Sequence, residues 1–560
     1  MKVVVLSGGS GNDALLKGIY SLYPQIDLKV VVNAYDDGKS TGVCRMLTNT
    51  LGVSDIRKNH SRMYRIFHNN NLNGNIISFF EERFDFPRGH EYEFVVVKLN
   101  EWGLSCWCQW AELFFKNQDA QGISYKDFSI ANIIYSSMYQ QIGYEATNEI
   151  ICAKFGIPNN VLMNSFENVK LAARTQKSIL EDEASIVGFG SEDDKIESLS
   201  YDSDEPITIN PVVVDELLDA DMIIVSCGTF WSSIYPTLEY GKLYKAINKS
   251  RAFKLWVMNN SQDKDAYGVS SNQFLDKVSM LGLNLSDFVI LENEDADPLL
   301  RQPSHDYDIA MYSMGNNKGK HDSSLLARSV FKEYFHLRVV PYEHVLMDFD
   351  NTLYSKESGS CKVSEENIKE VSRRPNVQIV SGNDFKTVIY PILEKYCKDF
   401  HNNVWADASS ILYVDGARKM VIHKHLINQD AIKFVERQLY KDFGLNGMPN
   451  DAEFMSCYKM KPFTSLERKL LIKHLNGHMF KSFGIKGLKA ISAGRTTVDI
   501  VADNNSKVNI FEAYNIDPKD CLYIGDETED YGNDYEIAHA CAQYIRVANV
   551  QETNIILKVL

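Results

Sequence analysis

The chain is punctuated by short apolar runs: Val3 to Leu6, Leu28 to Val32, Met222 to Val225, Leu255 to Met258, Val345 to Met347, Val377 to Val380 and Leu522 to Ile524, with helical patterns between them. Short runs dominated by apolar residues, with no sustained alternation, read as buried strands. Such strands alternating with helices build parallel sheets, so the expected class is α/β with Rossmann-like sheets. Several runs end in Gly, Ser, Asp or Asn, where sheets of this kind present groups to ligands. One core does not serve 560 residues, so at least two domains are expected. The link between HDSSLLARSVFKEYF and HVLMDFD, around Leu337 to Glu343, marks the boundary and gives domains at 1–338 and 339–560. Inside the first, Ser191 to Pro206 (SEDDKIESLSYDSDEP) is acidic and poor in apolar residues, and reads as a solvated loop or loose hairpin.

Charge excludes one class of function. With 59 Lys+Arg against 74 Asp+Glu, a net charge of -15, the chain lacks the footprint of a nonspecific nucleic-acid binder, and no nucleic-acid partner is expected. The 10 cysteines are scattered with no CxxC pair, which points to reduced thiols rather than a zinc ribbon or a disulfide framework. The opening MKVVVLSGGSG is a buried strand, not a signal peptide, and no run approaches the roughly 20 apolar residues that span a bilayer. A cytoplasmic location is expected, and a homo-oligomer is compatible with the sequence.

In the C-terminal half, HVLMDFDNTLY drives a strand directly into Asp348-Phe349-Asp350-Asn351-Thr352. Residues two apart share a strand face, so both carboxylates can emerge together and hold one Mg2+. Asp348 could attack phosphorus while Asp350 exchanges a proton with the leaving oxygen. QIVSGND places Ser381 at the end of another strand, where its hydroxyl can hold a phosphoryl oxygen. Lys507, in DNNSKVNIFEAYNI, can neutralise phosphate charge. CLYIGDETEDYGNDYE is a strand ending in Asp526, with Asp530 or Asp534 available to complete the metal's oxygen shell.

These four pieces, in this order, resemble the haloacid dehalogenase superfamily of phosphatases and phosphomutases over about the last 220 residues. The resemblance implies Asp348 as nucleophile, Asp350 as general acid/base, Ser381 and Lys507 as phosphate holders, and Asp526 as a metal ligand. About 125 residues separate Ser381 from Lys507, too many for a loop, so an inserted α+β cap is expected at about 401–495, with the core at 339–400 and 496–560. GDETEDYGNDYEI also looks like phosphomannomutase, which favours Asp534 over Asp530 as the second acidic partner. SAGRTTVDIV, with Arg495 and Asp499, resembles that group's return from cap to core. Phosphomannomutases carry an arginine shortly after an EF pair, where EFMSCYKMKPF has Met455. This departure favours a phosphatase over a mutase, with Lys459, Lys461 and Arg495 as candidate substrate contacts.

In the N-terminal half, the first strand runs into Ser7-Gly8-Gly9-Ser10-Gly11-Asn12-Asp13 and then a helix. Glycines there let backbone N–H groups approach a phosphate, with the helix dipole adding attraction. The second strand ends in Asn33, followed by Asp36-Asp37-Gly38, and two carboxylates beside a phosphate cradle suggest a bridging metal. LSGGSG, VNAYDDGKSTG and LGVSDIRKN resemble the CofD and YvcK family, which includes a phospholactate transferase and nucleotide-sugar-binding regulators. The likeness continues through SIANIIYSS, with Ala131-Asn132-Ile133 where the family has its GNL triplet, NSFENVKLAARTQKSILEDEASI, ADMIIVSCGTFWSSIYPTL, KLWVMNNSQDKDAYG and HDSSLLARSV, to about residue 335. DDGKSTG is closer to the YvcK branch, while Cys227 for proline and Ala131 for glycine depart from the family. The resemblance implies that Gly8, Gly9, Ser10 and Gly11 hold phosphates and that Asp36 and Asp37 hold metal or acceptor. Asn33, Asp55, Arg57, Gly228 and Thr229 would line the cleft, with the Arg57 guanidinium able to grip a diphosphate.

Together the resemblances imply a bifunctional enzyme: a CofD-like transferase, using a nucleoside diphosphate donor, joined to a Mg2+-dependent phosphatase that acts on a phosphosugar or small phospho-acid. The alternative is a nucleotide-sugar sensor controlling a phosphatase or phosphomutase.

Overall fold

In a computed structural model, residues 1–560 are described except for 10, 117–122, 192, 203–206, 301–306, 317, 338–340, 358, 407–410, 415, 422–428, 446–463 and 494–496. The chain divides into two compact units, Met1–Tyr334 and Phe335–Leu560.

In the first unit a seven-stranded parallel sheet runs in the order Asp308–Tyr312, Phe288–Asn293, Phe253–Val257, Met222–Val225, Lys2–Leu6, Asp27–Val32, Val161–Met163. Lys2–Leu6 is central because it can be buried on both sides: Val3 to Leu6 are at most 1% exposed. Burying each such side chain contributes ~1.5–3 kcal/mol. From this strand the chain builds outward to Val161–Met163, then returns to its other flank with Met222–Val225, so the strand order reverses between them. The helix Asp13–Leu22 lies against Ser323–Tyr334 at Gly18, where a Cβ would strike the Ser323 carbonyl. Within the acidic segment, Ile196–Tyr201 is a strand paired antiparallel with Leu171–Thr175, anchored by buried Ile196.

The second unit has its own seven-stranded sheet, in the order Ala417–Val421, Ile411–Val414, Val404–Ala406, Val377–Val380, His344–Met347, Cys521–Gly525, Gln543–Arg546. It is parallel from Val404–Ala406 to Gln543–Arg546 and antiparallel at the Ile411 to Val421 edge. This corrects the expected start of the cap at 401. Val404, Trp405, Ile411 and Leu412 are at most 2% exposed, and the Trp405 indole donates to Gln378 Oε1 at 2.8 Å, so this stretch finds its cover in the core sheet.

The expected return at 496 is corrected as well. Thr497–Ala502 pairs with Leu488–Ala493 in a hairpin, and Val498 and Ile500 share an apolar cluster with Val435, Leu439, Leu471 and Ile472. The last four lie on helices Gln429–Phe443 and Ser465–His474, the latter opened by a Thr464–Glu467 capping box. The insertion therefore spans Gln429 to Ala502 among the described residues.

Candidate functional site

In the second unit, His344–Met347 lies between Val377–Val380 and Cys521–Gly525, where the order of the sheet reverses, the usual ligand crevice of an open α/β sheet. The three strands deliver Asp348, Ser381 and Asp526 to one edge. Main-chain bonds fix two of them: Asp348 N–H donates to Ile524 O at 2.9 Å, and Ser381 N–H to Trp405 O at 2.8 Å. Asp348, Asp526 and Asp534 each bring a carboxylate oxygen within 4.8 Å of the others. Lys507, 2% exposed, donates to Asp348 Oδ1 and Asp534 Oδ1, both at 2.5 Å, and the Tyr523 hydroxyl donates to the same Asp534 oxygen at 2.6 Å.

Three buried carboxylates around one ammonium leave an excess of negative charge. Burial and Asp534 hold the Asp348 carboxyl well above its ordinary range, against the pull of Lys507. Burial and Asp534 raise Asp526 to about 7. The Lys507 ammonium is held above its usual range, because its two carboxylate partners outweigh the burial that would lower it. A crowded set of hard oxygen donors with this excess charge fits a divalent cation such as Mg2+.

Asp350 does not join this group, which corrects its expected place on the metal. The strand ends at Met347 and the chain turns through Asn351 at φ 54°, so the face-sharing rule for strand residues no longer applies. Asp350 instead accepts from Asn383 Nδ2, and the Asn383 N–H donates to Ser381 Oγ at 3.1 Å. Asn351 hydrogen-bonds Asp526.

Beside Lys507 opens a cavity of about 360 Å3, walled by Gly382, Asn505 and Asp530–Asn533 of the core and by Lys489 and Asp499 of the insertion. The insertion is pinned to this wall. Ser492 N–H donates to Tyr531 O at 2.7 Å, Asn533 N–H donates to Ser492 O at 3.0 Å, and Arg468 reaches Glu527 Oε1 at 3.2 Å. Gly532 is needed at this approach, because a Cβ would meet the Glu527 carbonyl. Asp499 lines the cavity, while Arg495, Met455, Lys459 and Lys461 lie outside the described residues.

In the first unit, the loop after Lys2–Leu6 and the turn after Met222–Val225 flank the reversal of that sheet. The helix Ser54–Phe67 fixes the loop through its carbonyls: Asn59 Nδ2 donates to Gly8 O at 3.3 Å and Arg62 to Gly9 O at 3.1 Å. From the other side, the Cys227 thiol donates to Gly11 O at 2.9 Å. A Cβ on Gly9 would meet Asp55 and Lys58, and one on Gly11 the Cys227 carbonyl. Ser10 lies outside the described residues.

Around the loop, Asp36 accepts from Gly38 N at 3.1 Å and Asp37 from Glu183 N at 3.0 Å, while Lys58 lies 3.4 Å from Asp55 Oδ1 and 4.0 Å from Asp36 Oδ2. Burial, with Asp36 adding, raises Asp55 to about 6, and burial with Asp36 and Asp55 raises Glu183 to about 9. Asn33 links the two strand ends, accepting from Tyr35 N at 3.1 Å and donating to Ser232 O at 3.5 Å. Gly228 is held by Asn259 on both its N–H and C=O at 2.9 Å, and the Thr229 hydroxyl bonds Ser232 and Ser233.

Arg57 is a correction: it is 3% exposed, donates to the Phe80 carbonyl, and burial lowers it to about 10. It is turned into the protein, and Arg62 is the guanidinium at the loop. Sequence reasoning also passed over Lys58, Glu183 and Asn259 here, and Tyr523, Asn383 and Asn505 in the second unit. For Arg62 a signal existed, since it lies seven residues after Asp55 on the same helix face.

Among proteins similar to this chain are a Thermotoga maritima relative (24% identical over 343 residues, 61% of this chain and 92% of its own) and the gluconeogenesis factor of Bacillus subtilis (21% over 299 residues, 52% and 79%). Similar solved structures include protein BH3568 of Bacillus halodurans (16% identical, TM-score 0.44, 59% of this chain and 99% of that one). They also include an N-terminally truncated IMP-nucleotidase of Plasmodium falciparum (18%, TM-score 0.30, 42% and 74%) and the sucrose-phosphatase of Synechocystis (17%, TM-score 0.27, 37% and 84%). The model of the 2-phospho-L-lactate transferase CofD family matches residues 3–326, more than half of the sequence, and the chain belongs to that family.

Proposed function

We propose that the unit Phe335–Leu560 is a Mg2+-dependent phosphatase that cleaves phosphate monoesters through an aspartyl-phosphate. The observation that carries this reading is Asp348, seated at the sheet's reversal among Asp526, Asp534 and Lys507. Asp348 Oδ attacks phosphorus as the ester P–O bond breaks, and the leaving oxygen takes a proton from the Asp350 carboxyl. Asp350 then takes a proton from a water that attacks phosphorus, releasing phosphate and restoring Asp348. Lys507 and Ser381 hold the phosphoryl oxygens. Asp348, Asp526 and Asp534 would hold a Mg2+ ion, which would supply charge neutralisation for the phosphoryl group.

The unit Met1–Tyr334 acts, in this proposal, as a transferase that binds a nucleoside diphosphate donor on the Gly8–Gly11 loop, with Asp36 and Asp55 close to that loop. The reading rests on family membership and the anchored loop. A sensor reading is favoured by the gluconeogenesis factors among the chain's relatives: a nucleotide sugar would bind without turnover and tune the phosphatase. A cytoplasmic setting fits free cysteines, which all the described ones are, and no described helix is long and apolar enough to cross a membrane.

Phosphate release by the purified chain with Mg2+, across sugar phosphates, phosphoglycerates and phospholactate, tests the phosphatase part of the proposal. Release is expected to fall at least about 10³-fold in Asp348→Asn. Release that persists in the variant overturns the assignment. Adding nucleotide sugars to the same assay separates a sensor, which changes the rate without being consumed, from a transferase.

A further inference from the structure

The cavity beside Lys507 holds a carboxamide with nothing to bond. Asn505 is 3% exposed at the cavity wall, and among the described residues neither its Nδ2 nor its Oδ1 has a hydrogen-bond partner; Asn533 Oδ1, on the same wall, also has none among them. Burying an amide unpaired is unfavourable by about 1–3 kcal/mol per group, so such a side chain in a ligand cavity points to a ligand that supplies both an acceptor and a donor. A hydroxyl does both at once.

The charges of the same wall narrow the class. Among the described residues its cations are Lys507, already shared by two carboxylates, and Lys489, paired with Glu536 at 3.0 Å. With Glu536 taken up by Lys489, the carboxylate of Asp530 stands on the same wall. A leaving group that carried its own carboxylate or a second phosphate would meet like charge there, whereas a neutral polyol would not.

We infer that the cavity takes the phosphomonoester of a neutral, polyhydroxylated alcohol, and that Asn505 reads its hydroxyls. This rests on the phosphatase reading of the site and selects among the substrates that reading allows.

The test is calorimetric binding to the full chain carrying Asp348→Asn, with Mg2+, of glucose monophosphate, a nucleoside monophosphate, phosphoglycerate and a hexose bisphosphate. At least one neutral monophosphate is expected to bind about tenfold or more tightly than phosphoglycerate or the bisphosphate; the two neutral arms separate a sugar from a nucleoside. Asn505→Leu and the isosteric Asn505→Asp are each expected to weaken that ester about tenfold and shrink its advantage over phosphoglycerate. Equal or tighter binding of phosphoglycerate or the bisphosphate overturns the inference, as does an advantage that survives both substitutions within about twofold. If the neutral ester binds this way but the wild-type chain releases no phosphate from it, the phosphatase reading falls while the inference about the ligand stands.

Discussion

At Lys507 one ammonium balances two buried carboxylates, so its removal has a signed consequence. Lys507→Met is expected to lower phosphate release roughly 10²- to 10³-fold, because the phosphoryl charge loses its fixed partner. Stability falls too, by about 3–5 kcal/mol near pH 8, the range for an uncompensated buried charge. A carboxyl held above its unfolded-state value is stable as the acid and loses stability as pH rises through its folded value. Asp348 lies well above its ordinary range and Asp526 near 7, so the deficit should be smaller at pH 5 than at pH 8. Melting curves at the two pH values check this; an equal loss at both would contradict the charge argument.

The residue scale also separates what sequence can and cannot give. Asp348, Ser381 and Asp526 were legible because each ends an apolar run, and the end of a buried parallel strand is a fixed place in space. Asp350 was not, because the rule that placed it holds only while the strand continues. Arg57 was misplaced for a different reason. Residues two apart on a helix point about 200° apart, so Arg57 cannot share the loop-facing side with Asp55, Lys58 and Arg62, and motif likeness alone does not reveal that side.

At the scale of elements, the hairpin Leu488–Ala502 and the loop Glu527–Asn533 are joined by main-chain bonds and by Arg468, whose guanidinium touches both Ser492 and Glu527. Arg468→Ala would leave Glu527, already raised by burial, without its cation. The expected result is a rise in KM for phosphoester, with kcat/KM down about tenfold or more, since a small displacement at a reacting site suffices for that. Steady-state kinetics with an otherwise intact chain reads it. The extent of the insertion was illegible because spacing shows only that extra chain exists. Whether Val404–Val421 joins the core sheet or the cap depends on which cover Trp405 and Leu412 find, and that is a tertiary fact.

For the whole molecule, each unit closes its own seven-stranded sheet around its own core. Calorimetry is expected to resolve two unfolding transitions, of which Mg2+ raises that of Phe335–Leu560, and raises it less at pH 5.5, where protons compete for Asp348 and Asp526. A single transition would show the two cores to be energetically one. The two-domain α/β architecture was readable from apolar runs because buried parallel strands leave little choice of class, whereas around Ile196 the sequence left a solvated loop and a loose hairpin both open, its alternation being weak against the surrounding acidic residues.

The insertion leaves the core beyond the edge strand Ala417–Val421 and rejoins it just before Lys507, while Asp348, its neighbouring strands and the carboxylate loop all lie outside it. The stretch of gene that encodes the insertion is thus separable from the stretches that carry Asp348, Ser381, Asn505 and Asp526, and lineages could exchange one while inheriting the others unchanged.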